Sequence, residues 1–113
     1  MKLTRILNEA KIESRIKKLV ANCNALIKQA IDKDGDPIPV EDPSSTWASQ
    51  YVYDKIVFNG TTLRIHWTEV STFPNKKDKE VIKKANLEFD GIEELRLIQR
   101  MYKKAIKNYK KYN

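Results

Sequence analysis

Apolar residues recur at alternating steps of four and three along the N-terminal part of the chain. Ile12, Ile16, Leu19, Cys23, Leu26 and Ala30 form one seam, widened on one side by Val20, Ile27 and Ile31. That period predicts an amphipathic helix over about 4–31. Lys11, Lys18, Asn22 and Lys28 fall on the opposite face. No Pro or Gly interrupts the segment, so its length is credible.

The segment DKDGDPIPVEDPSST at 32–46 breaks the period. Gly35 can take the left-handed conformation that caps a helix, and Pro37, Pro39 and Pro43 favour an irregular loop. WASQYVYDKIVF and TTLRIHWTEV then alternate in polarity around Asn59-Gly60. Asn-Gly suits the two positive φ angles of a type I′ turn, so a β-hairpin is expected over about 47–70.

A two-residue loop fixes the register. It puts Phe58 opposite Thr61, Ile56 opposite Leu63, Asp54 opposite Ile65 and Val52 opposite Trp67 on an inner face. The outer face then pairs Val57 with Thr62, Lys55 with Arg64, Tyr53 with His66 and Tyr51 with Thr68.

After a loop at 71–77, Lys77 to Ala85 reads as a short helix and Leu87-Glu88-Phe89 as an apolar bridge. Asp90, with Glu93 three residues on, resembles a capping box opening a final helix over about 91–110. Leu95, Ile98, Tyr102, Ala105, Tyr109 and Tyr112 form its seam. The expected fold is α+β, in one domain spanning 1–113: a long N-terminal helix, an antiparallel hairpin, a short helix and a long C-terminal helix. A third short strand has room near 38–41 or 71–73. The helix–three strands–helix order of double-stranded-RNA-binding modules is not adopted, because only two strands are legible and that module's small-residue helix is missing.

Composition narrows the chemistry. The chain is 41% apolar and 33% charged, with net charge +7. Residues 1–31 carry seven basic and two acidic side chains, and 32–54 one basic and six acidic. Residues 76–113 carry twelve basic and six acidic. Two basic regions flank an acidic connector, a balance that favours an anionic partner. The N-terminus lacks the apolar core of a signal peptide and no apolar run reaches membrane-span length, which points to a cytoplasmic protein.

Motifs for catalysis or cofactors are not found. DKDGDP resembles the opening of an EF-hand calcium loop, with Asp32, Asp34 and Asp36 at alternate positions. The sixth position, which needs a glycine, is Pro37, and the twelfth, which needs a bidentate Glu, is Pro43. His66 is the single histidine and Cys23 the single cysteine, so neither a metal set nor a disulfide framework is legible. No metal, no cofactor and no enzymatic activity are expected.

Two surfaces remain. Tyr51, Tyr53, Lys55, Arg64 and His66 share the outer hairpin face, interleaving cations with rings as single-stranded nucleic-acid surfaces do. Lys103, Lys104 and Lys107, with Lys110 and Lys111, crowd the last helix and suit nonspecific phosphate contacts. The expected function is a small noncatalytic protein that contacts nucleic acid through both. The alternatives are a phage or mobile-element type protein that docks on a larger host protein or complex, and a sequestering protein for a small nucleotide-like anion. A homodimer would be one way to bury the helix seams.

Overall fold

The computed structural model describes residues 2–41, 50–70 and 78–112. Helix α1 spans Lys2–Gln29 and helix α2 spans Ile92–Tyr112. Between them lie strands β1 (Val40–Glu41), β2 (Gln50–Phe58), β3 (Thr62–Val70) and β4 (Asp78–Lys83). The strands form one antiparallel sheet in the order β1-β2-β3-β4. The chain is therefore α+β, as the polarity pattern implies.

Both helices pack on the same face of the sheet. Ile16, Val20 and Cys23 of α1 and Leu95, Ile98, Met101 and Tyr102 of α2 meet Tyr53, Ile56, Leu63, Ile65 and Ile82 of the sheet in one buried core. The helices run parallel. A Cβ at Gly91 would lie 3.6 Å from Ile16, the Cys23 thiol donates to the Leu95 carbonyl at 3.3 Å, and the Lys33 N–H donates to the Tyr109 hydroxyl at 2.9 Å. Ile16, Cys23, Ala30, Leu95, Ile98 and Tyr102 of the two seams are buried in this core, and Tyr112 stays 75% exposed. Burial pushes the Cys23 thiol up to about 12.

The hairpin forms in a different register from the one expected. Phe58 pairs with Leu63, Val57 with Arg64, Ile56 with Ile65 and Lys55 with His66. The turn has slid one residue along the chain. Gly60, at φ +97°, takes the first central position, the place type II′ turns reserve for glycine. Asn59 stays outside the positive-φ region and uses its side chain instead. Its Oδ1 accepts from the N–H groups of Thr61 and Thr62 at 2.9 and 2.7 Å.

A β-bulge between Tyr53 and Lys55 changes the faces further. Asp54 is the extra residue, and beyond it Tyr53 pairs with Trp67 and Tyr51 with Glu69. The physical reason is the carboxylate. Without the bulge Asp54 would sit opposite Trp67 on the helix-facing side, at a heavy desolvation cost. The bulge leaves Asp54 exposed and turns Tyr53 inward to 7% exposure.

The short helix expected from Lys77 is also corrected. Residues 78–83 form β4, which pairs with β3 through Leu63–Ile82, Arg64–Val81 and Ile65–Glu80. Its Asp, Lys and Glu residues look helical in composition, yet charged side chains are how proteins protect an edge strand. With β4 in place the described order is helix–four strands–helix, with β1 only two residues long.

A 3-10 turn at Lys84–Asn86 and a π turn at Leu87–Gly91 then lead into α2. Asp90 lies inside that π turn, so the expected capping box is not formed. A short strand does occur within 38–41, as β1. The parts of the expected elements at 42–49 and 71–77 lie outside the described residues.

β1 covers only the start of β2, which leaves backbone groups of β2 open along that edge. Two helix side chains satisfy them. Asn24 of α1 donates through Nδ2 to the Ile56 carbonyl at 2.9 Å, and its Oδ1 accepts from the Ile56 N–H at 3.0 Å. Tyr102 of α2 accepts from the Tyr53 N–H at 3.0 Å, and its ring meets the Tyr53 ring edge-on at 6.0 Å. Burial is the main reason the Tyr102 hydroxyl is pushed up to about 12.

Candidate functional site

The acidic connector is a tight turn built on one side chain. Asp32 Oδ1 accepts from the N–H groups of Asp34 and Asp36, both at 2.9 Å. Gly35, at φ +86°, lies at the tip of this turn and not at the end of α1. The Asp32 carboxylate is thereby directed at its own backbone. Among the described residues no group of three or more His, Cys, Asp or Glu side chains could hold a metal ion. No helix among them is long and apolar enough to cross a membrane.

The structure divides the residues expected on the outer hairpin face. Lys55, Arg64 and His66 stay there, on the side of the sheet away from the helices. Tyr51 and Tyr53 do not. Tyr53 is in the core, and Tyr51 packs edge-on against Trp67 with ring centroids 5.2 Å apart on the helix-facing side. Among the described residues neither tyrosine therefore lies on the cationic face. Arg64 sits between Val57 and Val81, and Lys55 lies beside His66. The expected Lys55–Arg64 opposition is absent, because both turn position and register have moved.

The last helix also divides its lysines. Lys104 borders a groove of about 640 Å³ with Ile38, Pro39, Leu97 and Tyr109. Lys103 and Lys107 lie on a different face, and the structure joins them to residues the sequence reading left aside. Arg96, Arg100, Lys103, Lys107 and Lys110 follow steps of four and three, and all five are exposed. At 1.5 Å rise per residue, this stripe is about 21 Å long. At 3.6 residues per turn it is turned by roughly 125° from the buried line Leu95, Ile98 and Tyr102, and its side chains reach solvent.

The stripe borders the groove between the two parallel helices. Arg15 of α1 joins Arg96, Arg100 and Lys103 around a depression of about 680 Å³. Farther along, Lys103, Lys107 and Lys110 meet Leu26 and Gln29 of α1 around a second depression of about 320 Å³. Lys103 belongs to both, so the cationic groove is continuous. Acidic side chains border its beginning at Glu88 and Glu93, and Arg100 also borders another depression, with Glu80, Asp90 and Glu94. From Leu95 to Tyr112 the helix has seven basic residues and no acidic one. Among the described residues these five cations have no ion-pair partner; Lys17 pairs with Glu13 at 3.7 Å elsewhere on α1.

The signal for this stripe was present in the sequence as a period. The four-three spacing used to find apolar seams also finds cationic ones, and it selects Arg96 and Arg100 while excluding Lys104. Arg15 required the packing of α1 beside α2. Comparison of the chain with protein-family models, with curated proteins and with solved structures returned no match.

Proposed function

We propose that the protein is a noncatalytic nucleic-acid-binding module that grips a phosphate backbone along α2. The observation that carries this reading is the exposed stripe Arg96, Arg100, Lys103, Lys107 and Lys110, without an acid from Leu95 onward. Like charges at (i, i+4) on one helix face destabilise it slightly, so a stripe of five costs stability that a polyanion recovers. Its length of about 21 Å favours a polymer over a single nucleotide, which would engage only one or two of these cations.

The mode of contact follows from what the surfaces hold. Guanidinium and ammonium groups along a helix meet phosphates, and the exposed Phe89 ring borders the same depression beside Arg96. The reading is therefore sequence-independent binding to a phosphate backbone. The fluorescence anisotropy of a labelled duplex of about 20 base pairs tests it, a length that outspans the stripe. Arg96→Glu, Lys103→Glu and Lys107→Glu together should weaken binding at least tenfold at low salt and reduce the steepness of its salt dependence by about three in log–log slope, one per lost contact. Unchanged affinity in a variant whose thermal midpoint is unchanged would reject the stripe as the interface.

A further inference from the structure

The outer face of the sheet is a second surface of one sign. Ladder positions on this face of β2 and β3 are Gln50, Val52, Lys55, Val57, Thr62, Arg64, His66, Thr68 and Val70, and β4 adds Val81 and Lys83. None of these is acidic. Glu69 and Glu80 occupy the opposite, helix-facing set of ladder positions, across from Tyr51 and Ile65. Solvated sheet faces ordinarily intersperse both signs, because cross-strand opposite charges stabilise and like charges repel. Here each cation has a neutral or basic neighbour across the ladder: Arg64 has Val57 and Val81, Lys83 has Thr62, and Lys55 has His66. Val57, Val70 and Val81 are each more than 40% exposed beside them.

This face and the α2 stripe point in opposite directions. The stripe lies on the solvent side of the helix layer, and the sheet presents its outer face on the far side of the core. One duplex cannot lie along both without bending around the molecule, and bending a site of 20–30 base pairs by 40–90° costs on the order of 1–6 kcal/mol.

We propose that the protein bridges two nucleic-acid duplexes, one held along the α2 stripe and the second against Lys55, Arg64 and Lys83 on the outer sheet face. The proposal rests on the nucleic-acid reading of α2 and adds a second site of the same chemistry. Charge complementarity selects the occupant, since the described ladder positions of this face offer cations and no acid, with the exposed Asp54 standing at the bulge beside Lys55. Among its described ladder positions the half-buried His66 imidazole is the one ring, which favours a duplex backbone over an unpaired strand. The second site is the weaker, having three cations against five.

Two duplexes, one with a donor and one with an acceptor fluorophore, test this with the intact chain. The wild-type protein should bring the labels together, with energy transfer rising and then falling as excess protein gives each duplex its own copy. Lys55→Glu, Arg64→Glu and Lys83→Glu together should abolish the transfer. Anisotropy of a single duplex should change by less than about threefold, because the five-cation stripe supplies most of the electrostatic affinity. The milder set Lys55→Gln, Arg64→Gln and Lys83→Gln serves if the reversal disturbs folding, and should reduce the transfer in the same direction. Transfer as strong as wild type in a folded sheet-face variant would overturn the proposal. So would tight single-duplex binding by the wild type with no transfer at any ratio, which leaves the α2 reading standing. No anisotropy change at all at low salt would overturn both.

Discussion

Asn24→Ala should destabilise the fold far more than an ordinary change on a helix surface. The Asn24 amide serves both backbone groups of Ile56, at 2.9 and 3.0 Å, along the part of the β2 edge that β1 does not cover. Ile56 itself is 3% exposed. Each hydrogen bond is worth about 0.5–1.5 kcal/mol net, and a buried group left without a partner costs about 1–3 kcal/mol. Asn24 is half-buried, so water can replace part of what is lost. A total of about 2–3 kcal/mol follows, with the alanine's better helix propensity offsetting a few tenths. With 113 residues and an unfolding entropy of about 2.1 cal/mol/K per residue, that corresponds to a fall of about 8–12 °C in the thermal midpoint. Denaturant titration gives the free energy directly, and amide exchange should show the Ile56 N–H losing protection. The exposed Asn22→Ala, two residues earlier, should shift stability by less than about 0.5 kcal/mol. If Asn24→Ala matched Asn22→Ala, the edge of β2 would not be held by α1 and the account of the bulge region would fail.

Three further outcomes follow from the same packing. Stability should fall as pH rises above about 9, because the Cys23 thiol and the Tyr102 hydroxyl are both held near 12 in the fold while their unfolded values are 9.0 and 10.0. Both groups are raised, so their contribution is complete below the unfolded values and is lost through this alkaline window; thermal midpoints at stepped pH test it, and Cys23→Ala should delay the onset. Gly60→Val should destabilise by on the order of 1–3 kcal/mol, since φ +97° strains any β-branched residue and a Cβ there would lie 3.2 Å from the Glu13 carboxylate; denaturant titration reads it. Tyr102→Phe should cost about 1–3 kcal/mol by orphaning the buried Tyr53 N–H, and that amide should exchange faster.

Both long helices could be read from the sequence, because a seam such as Ile16, Leu19, Cys23 and Leu26 needs only local periodicity. The hairpin could be placed, but its faces could not. Asn-Gly locates a turn without saying whether Asn takes positive φ or accepts hydrogen bonds through its side chain, and Asn59 does the second. The bulge left a trace in Asp54, a carboxylate at an inward position between apolar neighbours. That one residue moved Tyr51 and Tyr53 from the candidate binding face into the helix-facing layer. β4 is not legible in the sequence because an edge strand with the exposed charges Glu80 and Lys83 carries little apolar alternation. Lys103 and Lys107 were legible as candidates, and Arg15 was not, since its place beside Arg96 depends on two helices running parallel.

Binding to a random-sequence duplex as a function of salt tests the central claim most directly. Five cations of the α2 stripe on phosphates predict a slope of log affinity against log salt of about −4 to −5, with binding lost steeply between about 50 and 200 mM. A slope near zero, or no duplex binding at about 50 mM salt, would contradict the account.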